Sequence, residues 1–418
     1  MQEVINIGKA AFIFAPFKGV ETASLGVFFK TGSRFEPKRI KGIAHFLEHM
    51  VFKGSKKYSH LQIKREIEGR GGSLNAFTSQ EVTAYYAHFL SKNLPIALDI
   101  LLNMALEPLL KKEDIDKERN VILEEIKMYN DLPASRAGML LDKLLWPKHA
   151  LGEEIIGYTS TVKDIVKKDL SNFRDKYYTP SNMVVSFAGS YSKEKIISLL
   201  SQRIEKPCSK LKLNFVLPPV FRGQRIKVEK KNLQQTHLCL GFRSISYLSR
   251  QRAAAQLISV ILGANMSSRL FEELREKRPL CYDISTEVRK YRDSGAFVIH
   301  MGLDKSKIIE AIGAILKELN KIKEKEAAGK ELSRAKDYLL GQAAMALEQP
   351  QGKMFYLAEG YLAQGKIYDF EKIKKEIESV TSSQIKKLAE DIFKFENLCI
   401  SCVGDIPDTM EEEIKGSL

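Results

Sequence analysis

A chain of 418 residues exceeds what one hydrophobic core usually organises, so two domains of roughly 200 residues each are expected. With 44% hydrophobic and 28% charged residues, the composition is that of a folded globular protein and excludes a disordered chain. The formal net charge of +14 raises nucleic acid as a partner, but Lys and Glu are interspersed in stretches such as Lys317 to Lys330, as on a solvated helix surface, and no nucleic-acid-binding motif accompanies the charge.

The N-terminus, Met1-Gln2-Glu3-Val4, has neither a basic n-region nor an apolar h-region, and no stretch reaches the ~18 consecutive apolar residues of a transmembrane helix. The expectation is a cytoplasmic protein without a membrane partner. Leu25 to Thr31 reads as a strand. Ile43 to Met50 (IAHFLEHM) contains no helix breaker and follows a turn-like segment ending at Gly42, so a helix is predicted. At about 100° per residue, Ile43, Phe46, Leu47 and Met50 fall on one side, while His45, Glu48 and His49 share the other. Two imidazoles at i and i+4 can bind one zinc ion, and the carboxylate at i+3 stands where it can take a proton from water. This is the inverted zinc-peptidase spacing, H-x-x-E-H.

A catalytic zinc takes three protein ligands, so one more is needed elsewhere. After a strand at Tyr85 to Leu90, the helical stretch Asp114 to Tyr129 supplies candidates. Its apolar stripe is Ile115, Ile122, Ile126 and Tyr129. Glu118 and Glu125 lie along the edge of that stripe, and Glu124 points away from it. This favours Glu125 as the ligand and Glu118, seven residues earlier, as a carboxylate supporting a ligand. Both could instead simply flank the helix.

A helix over Ile165 to Tyr178 and a buried strand over Asn182 to Gly189 (NMVVSFAG) follow. They reappear 215 residues later as Val380 to Phe393 and Asn397 to Gly404 (NLCISCVG), and Leu25 to Thr31 reappears as Leu238 to Ser244. Tyr85 to Leu90 matches Phe297 to Gly302, which gives His88 and His300 a shared structural role. The chain therefore reads as a catalytic domain at 1–206, a Pro-containing linker at 207–222 and a homologous domain at 223–418. Each domain is predicted to be an α/β sandwich of α+β class, with helices packed on a mostly antiparallel sheet. At an offset of about 213, the counterparts of His45, Glu48 and His49 are Ile258, Ile261 and Leu262, so the second copy cannot hold the metal. An odd count of five cysteines suits a reducing compartment, and Cys399 and Cys402, three apart on a strand, point to opposite faces as core thiols.

The segments HFLEH at 45–49 and NVILEEI at 120–126 together resemble the pitrilysin, insulysin and mitochondrial processing peptidase family of zinc peptidases. The resemblance spans nearly the whole chain. It implies one zinc ion per chain on His45, His49 and Glu125, with Glu48 as the general base that activates water and Glu118 assisting. GGSLNA at 71–76 resembles the family's active-site edge strand, which implies that Asn75 and Ala76 touch the substrate backbone. Ser268 to Tyr282 resembles the segment bearing an Arg and Tyr seven apart, which implies that Arg275 and Tyr282 stabilise the oxyanion. Read on its own, that segment fits a salt-bridged helix end, and Pro279 stands where the family commonly has Gly. LWPKHALG at 145–152 and YTPSNM at 178–183 also resemble family landmarks, read as structural. The implied activity is zinc-dependent hydrolysis of peptides or unfolded segments, the alternative being a non-catalytic scaffold or regulatory subunit. Two-domain relatives complete an enclosed chamber by pairing, so Arg275 and Tyr282 of one subunit would serve the zinc of the other. A chain carrying both sets implies a homodimer, with a heterodimer as the other option.

Overall fold

The computed structural model describes residues 2–204, 211–220 and 223–418. The apolar runs form two sheets. The first contains β1 (Glu3–Ile7), β2 (Ala10–Pro16), β3 (Thr22–Phe29), β4 (Ser73–Thr78), β5 (Thr83–Leu90) and β6 (Met183–Gly189), in the order β1-β2-β6-β3-β5-β4. The second contains β7 (Arg225–Lys230), β8 (Thr236–Ser244), β9 (Cys281–Lys290), β10 (Gly295–Leu303) and β11 (Cys399–Gly404), in the order β7-β11-β8-β10-β9. In each sheet one pair is parallel, β2 with β6 and β7 with β11, and the other pairs are antiparallel.

The duplication is written into the ladders. Leu25 lies opposite Phe187 in the first sheet, and Leu238 lies opposite Cys402 in the second. Since 238 − 25 = 213 and 402 − 187 = 215, the strand pairing reproduces both sequence offsets. One correspondence shifts. Leu25 also faces Ala87 whereas Leu238 faces Met301, so β5 and β10 correspond at 301 − 87 = 214. The structural counterpart of His88 is therefore Gly302 and not His300. A slip of two residues keeps every side chain on its own face, which is why the apolar pattern alone did not reveal it. His88 bonds Ser24 at 2.9 Å, whereas His300 meets His237 across the neighbouring strand at 3.2 Å.

Each sheet is covered on both faces. The principal core of the first lies beneath helices that include Ile43–Val51, Leu94–Leu106 and Lys112–Asp131. The opposite face, with Ile13, Phe28 and Val184, is covered by helix Pro350–Gln364 through Met354, Leu357 and Ala358. In the second sheet the opposite face, with Cys239, Val298 and Val403, is covered by helix Pro133–Leu145 through Ala137, Leu140 and Leu141. The compact units accordingly comprise Met1–Lys127, Glu153–Phe215 and Ala344–Asp369 in one case, and Met128–Gly152, Val216–Ala343 and Phe370–Leu418 in the other. The linker expected at 207–222 lies partly outside the described residues.

A matched pair of serines fastens these covering helices. Ser186 Oγ on β6 donates to Met354 O at 3.0 Å, and Ser401 Oγ on β11 donates to Ala137 O at 2.7 Å. The serines are 401 − 186 = 215 residues apart and both fully buried. Cys399 packs with the helix 133–145 core and Cys402 with the other, so they do face opposite ways; burial pushes both thiols up to about 12. Trp146 is fully buried, its Nε1 donating to Ser294 Oγ at 3.0 Å, and the Tyr178 hydroxyl meets that of Tyr85 at 3.0 Å, so the segments that carry them are structural. Among the described residues, no helix is long and apolar enough to cross a membrane.

Candidate metal centre

Helix Ile43–Val51 forms where the sequence predicts it and buries Ile43, Phe46, Leu47, Met50 and Val51 against the core. It has no capping side chain of its own. Gly42, at the N-cap, adopts φ +93°, and a Cβ there would lie 2.5 Å from Ile156 O, so only glycine fits. The free N–H groups are taken by a distant acceptor: Gly42 N and Ala44 N donate to the two carboxylate oxygens of buried Glu36 at 2.9 and 2.8 Å. Glu36 thus fixes the start of the helix that carries His45, Glu48 and His49.

Helix Lys112–Asp131 brings the carboxylates. Glu125 Oε2 lies 3.5 Å from His49 Nε2 and 3.8 Å from His45 Nε2, and the three donors fall within 4.8 Å of one another. Among the described residues this is the only group of three or more His, Cys, Asp or Glu side chains so arranged. Glu118, one heptad earlier and buried, meets His49 Nδ1 at 3.1 Å with one oxygen and Lys53 Nζ at 2.5 Å with the other. Glu124 is exposed, as expected, but so is Tyr129 at 37%, so the buried stripe ends at Ile126.

The electrostatics favour a cation. Burial first, and then His49, pulls His45 down to about 4 against the opposing pull of Glu125, which leaves it neutral with a lone pair available. Burial pulls His49 down as well, yet its hydrogen bonds to the accepting carboxylates of Glu125 and Glu118 and the surrounding carboxylate charge outweigh it and raise the net value. The acceptor at Nδ1 places the lone pair of a neutral His49 ring on Nε2, toward Glu125. Two imidazole nitrogens and one carboxylate oxygen match a zinc donor set. Four tetrahedral donors around zinc lie about 3.3 Å apart, close to the 3.5 and 3.8 Å seen here. His45 Nδ1 is buried without a hydrogen-bond partner among the described residues.

Glu48 stands beside this group. Burial raises its carboxyl, opposed by a hydrogen bond from Thr78 Oγ1 to Oε2 at 2.5 Å and by the charge of His49. Thr78 closes β4, which among the described residues pairs with β5 alone and so forms an edge of the sheet. On that strand Asn75 is exposed and its Oδ1 accepts from Ala76 N at 2.8 Å. Glu36, Lys53 and Thr78 escaped the sequence reading. Their signals were a helix start without a capping residue, a cation four residues beyond His49, and a hydroxyl in phase with Leu74 and Ala76.

In the other unit, Arg275 lies in a π-helical turn, Glu272–Lys277, its guanidinium 4.7 Å from the Phe271 ring centre and 5.3 Å from that of Tyr282. Pro279 fits this turn: Leu280 N bonds back to Leu274 O at 2.8 Å, and Lys307 Nζ donates to Pro279 O at 2.7 Å. Tyr282 is 75% exposed. Ile258, Ile261 and Leu262, the counterparts of the metal set, are core residues of helix Arg252–Leu262.

Comparison with known proteins identifies the family of the chain. Residues 16–159 match the insulinase (peptidase family M16) model, and residues 164–339 match the model described as the peptidase M16 inactive domain. An uncharacterized zinc protease of Bacillus subtilis is 33% identical over 93% of this chain and 95% of its own length. One from Streptomyces coelicolor is 31% identical over 96% and 89%. The fold is shared with the crystal structure of a protease from Helicobacter pylori, at TM-score 0.91 and 22% identity over 97% of this chain and 99% of that one. It is also shared with a structure described as a peptidase M16 inactive domain from Pseudomonas fluorescens, at TM-score 0.86 and 20% identity over 97% and 98%. The chain belongs to the insulinase family of peptidases, family M16.

Proposed function

We propose that this protein is a zinc-dependent endopeptidase that hydrolyses extended peptides or unfolded polypeptide segments. The observation that carries the reading is the convergence of His45 Nε2, His49 Nε2 and Glu125 Oε2 beside a desolvated Glu48. These three residues would hold one zinc ion, and when bound it would supply Lewis-acid polarisation of the scissile carbonyl and of the attacking water. Glu118 keeps His49 oriented through Nδ1, and Lys53 keeps Glu118 in place.

Substrate adds as a strand along the open edge of β4. The Ala76 N–H, now bonded to the Asn75 side chain, is the donor that a substrate carbonyl would take over. Glu48 takes a proton from water at its carboxylate and returns it to the leaving amine, a role for which burial suits it by raising its basicity. The active assembly is a homodimer in which Arg275 and Tyr282 of one subunit face the metal set of the other and stabilise the developing oxyanion. Among the described residues matched by the inactive-domain model there is no metal set, which accords with one zinc per chain.

Zinc analysis combined with a peptide-library cleavage assay tests this on the wild type and Glu48→Gln. Both should bind one zinc per chain, and the variant should lose cleavage by about 10²–10⁴-fold. Full cleavage by Glu48→Gln would remove that residue from its role. Zinc binding by a wild type that cleaves no peptide would instead favour a non-catalytic subunit.

A further inference from the structure

Strand β4 alternates. Leu74 and Ala76 pack toward the core that holds helix Ile43–Val51, and Phe77 packs on the opposite face with Phe28 and Tyr86. Thr78 is in phase with Leu74 and Ala76, whose side chains on that face are apolar. It presents a hydroxyl instead, and Thr78 Oγ1 makes a hydrogen bond of 2.5 Å to Glu48 Oε2. Among the described residues this is the only hydrogen bond given to the Glu48 side chain.

We infer that Thr78 is a positioning residue for Glu48: it engages one carboxylate oxygen and so fixes the rotamer in which the other is free to receive a proton. A glutamate has three rotatable side-chain bonds, and a carboxylate that wanders by 1 Å serves poorly as a base. A β-branched threonine has restricted χ1 freedom, so its hydroxyl is itself aimed before the contact forms. Because Thr78 ends the strand that includes Asn75 and Ala76, one rigid element carries both the edge that receives the peptide and the group that orients the base. The contact also limits how far desolvation raises the Glu48 carboxyl, since the hydroxyl donates to the charged form.

The functional part of this inference rests on the peptidase reading above, so the test separates the two. Thr78→Val keeps the shape and removes the donor, and Thr78→Ser keeps the donor. In metal-free protein labelled with ¹³C at Glu carboxyl carbons, the Glu48 resonance is identified by its absence in Glu48→Gln. It should move in Thr78→Val and stay near the wild-type position in Thr78→Ser. In the zinc-loaded enzyme, Thr78→Val should lower kcat about tenfold or more with KM within a factor of about two, and Thr78→Ser should recover most of it. An unmoved resonance in Thr78→Val overturns the inference, whatever the activity. So does a moved resonance with unchanged kcat where Glu48→Gln is inactive. A moved resonance in a protein whose wild type cleaves nothing upholds the contact and sinks the peptidase reading.

Discussion

Glu36 shows how a residue outside the metal set can govern it. Its carboxylate is buried and accepts the N–H groups of Gly42 and Ala44 at the start of the helix that carries His45, Glu48 and His49. Burial pushes it up to about 7 from an ordinary 4.5, against the lowering effect of the Ala44 and Gly42 amides and of Lys41. The folded state therefore holds a proton that the unfolded chain has already released between these two values. Stability from this group is fully present below 4.5 and is lost as pH rises through 7. The difference, 7 − 4.5 = 2.5 pH units, corresponds to an upper value on the order of 3 kcal/mol. Glu36→Gln has no such proton to lose, so the stability of the metal-free wild type relative to this variant should fall between pH 4.5 and pH 8. Urea unfolding at the two pH values measures it, and a gap that stays constant would mean that Glu36 does not titrate in this range. The clustering of the candidate site residues was legible because a helix converts spacing into direction: i, i+3 and i+4 bring His45, Glu48 and His49 to one side, and one heptad does the same for Glu118 and Glu125. Glu36 and Thr78 reach the site across 6 and 30 residues of chain, and no local period encodes such contacts.

The same boundary between local and non-local information runs through the elements. β6 and β11 were legible as buried strands because both are apolar runs interrupted by a single serine, and such runs require cover on both faces. What lies on the second face was not legible, since a helix with an apolar side does not say which sheet it will meet. That role falls to Pro133–Leu145 and Pro350–Gln364, each in the same compact unit as the sheet that its own half of the sequence does not build. Ser186 and Ser401, equivalent by duplication, hold these helices through one buried hydroxyl-to-carbonyl bond apiece. Replacing either by Ala removes that bond, while the helix carbonyl can retain its own intrahelical partner. Each substitution should cost about 1 kcal/mol, a fall of about 2–4 °C in the melting temperature of a unit of this size. Calorimetry of the two single variants checks this. A large loss in one and none in the other would show that the two contacts do not serve equivalent roles.

At the scale of the whole molecule, the question is why one chain should carry a metal set in one unit and the Arg275–Tyr282 pair in the other. The Arg275 guanidinium sits over the phenol ring, and Tyr282 is nonetheless 75% exposed. An exposed aromatic beside an arginine is the composition of a contact surface. Under the homodimer proposed above, a working site takes Glu48 from one subunit and Arg275 from the other. Glu48→Gln and Arg275→Ala should then each be inactive alone and active when mixed. In a mixed dimer one site combines the intact Glu48 of the second chain with the intact Arg275 of the first, and the other site carries both defects. Random exchange places half of the chains' dimers in that mixed state, so equal amounts should recover about a quarter of wild-type activity under two-fold symmetry. If the pair instead acted within its own chain, every site in the mixture would carry one defect and nothing would be recovered. Light scattering on the same samples separates that outcome from a failure to pair. A dimer without recovery would assign Arg275 and Tyr282 to their own subunit's metal set, and a monomer with full wild-type cleavage would remove the dimer from the mechanism.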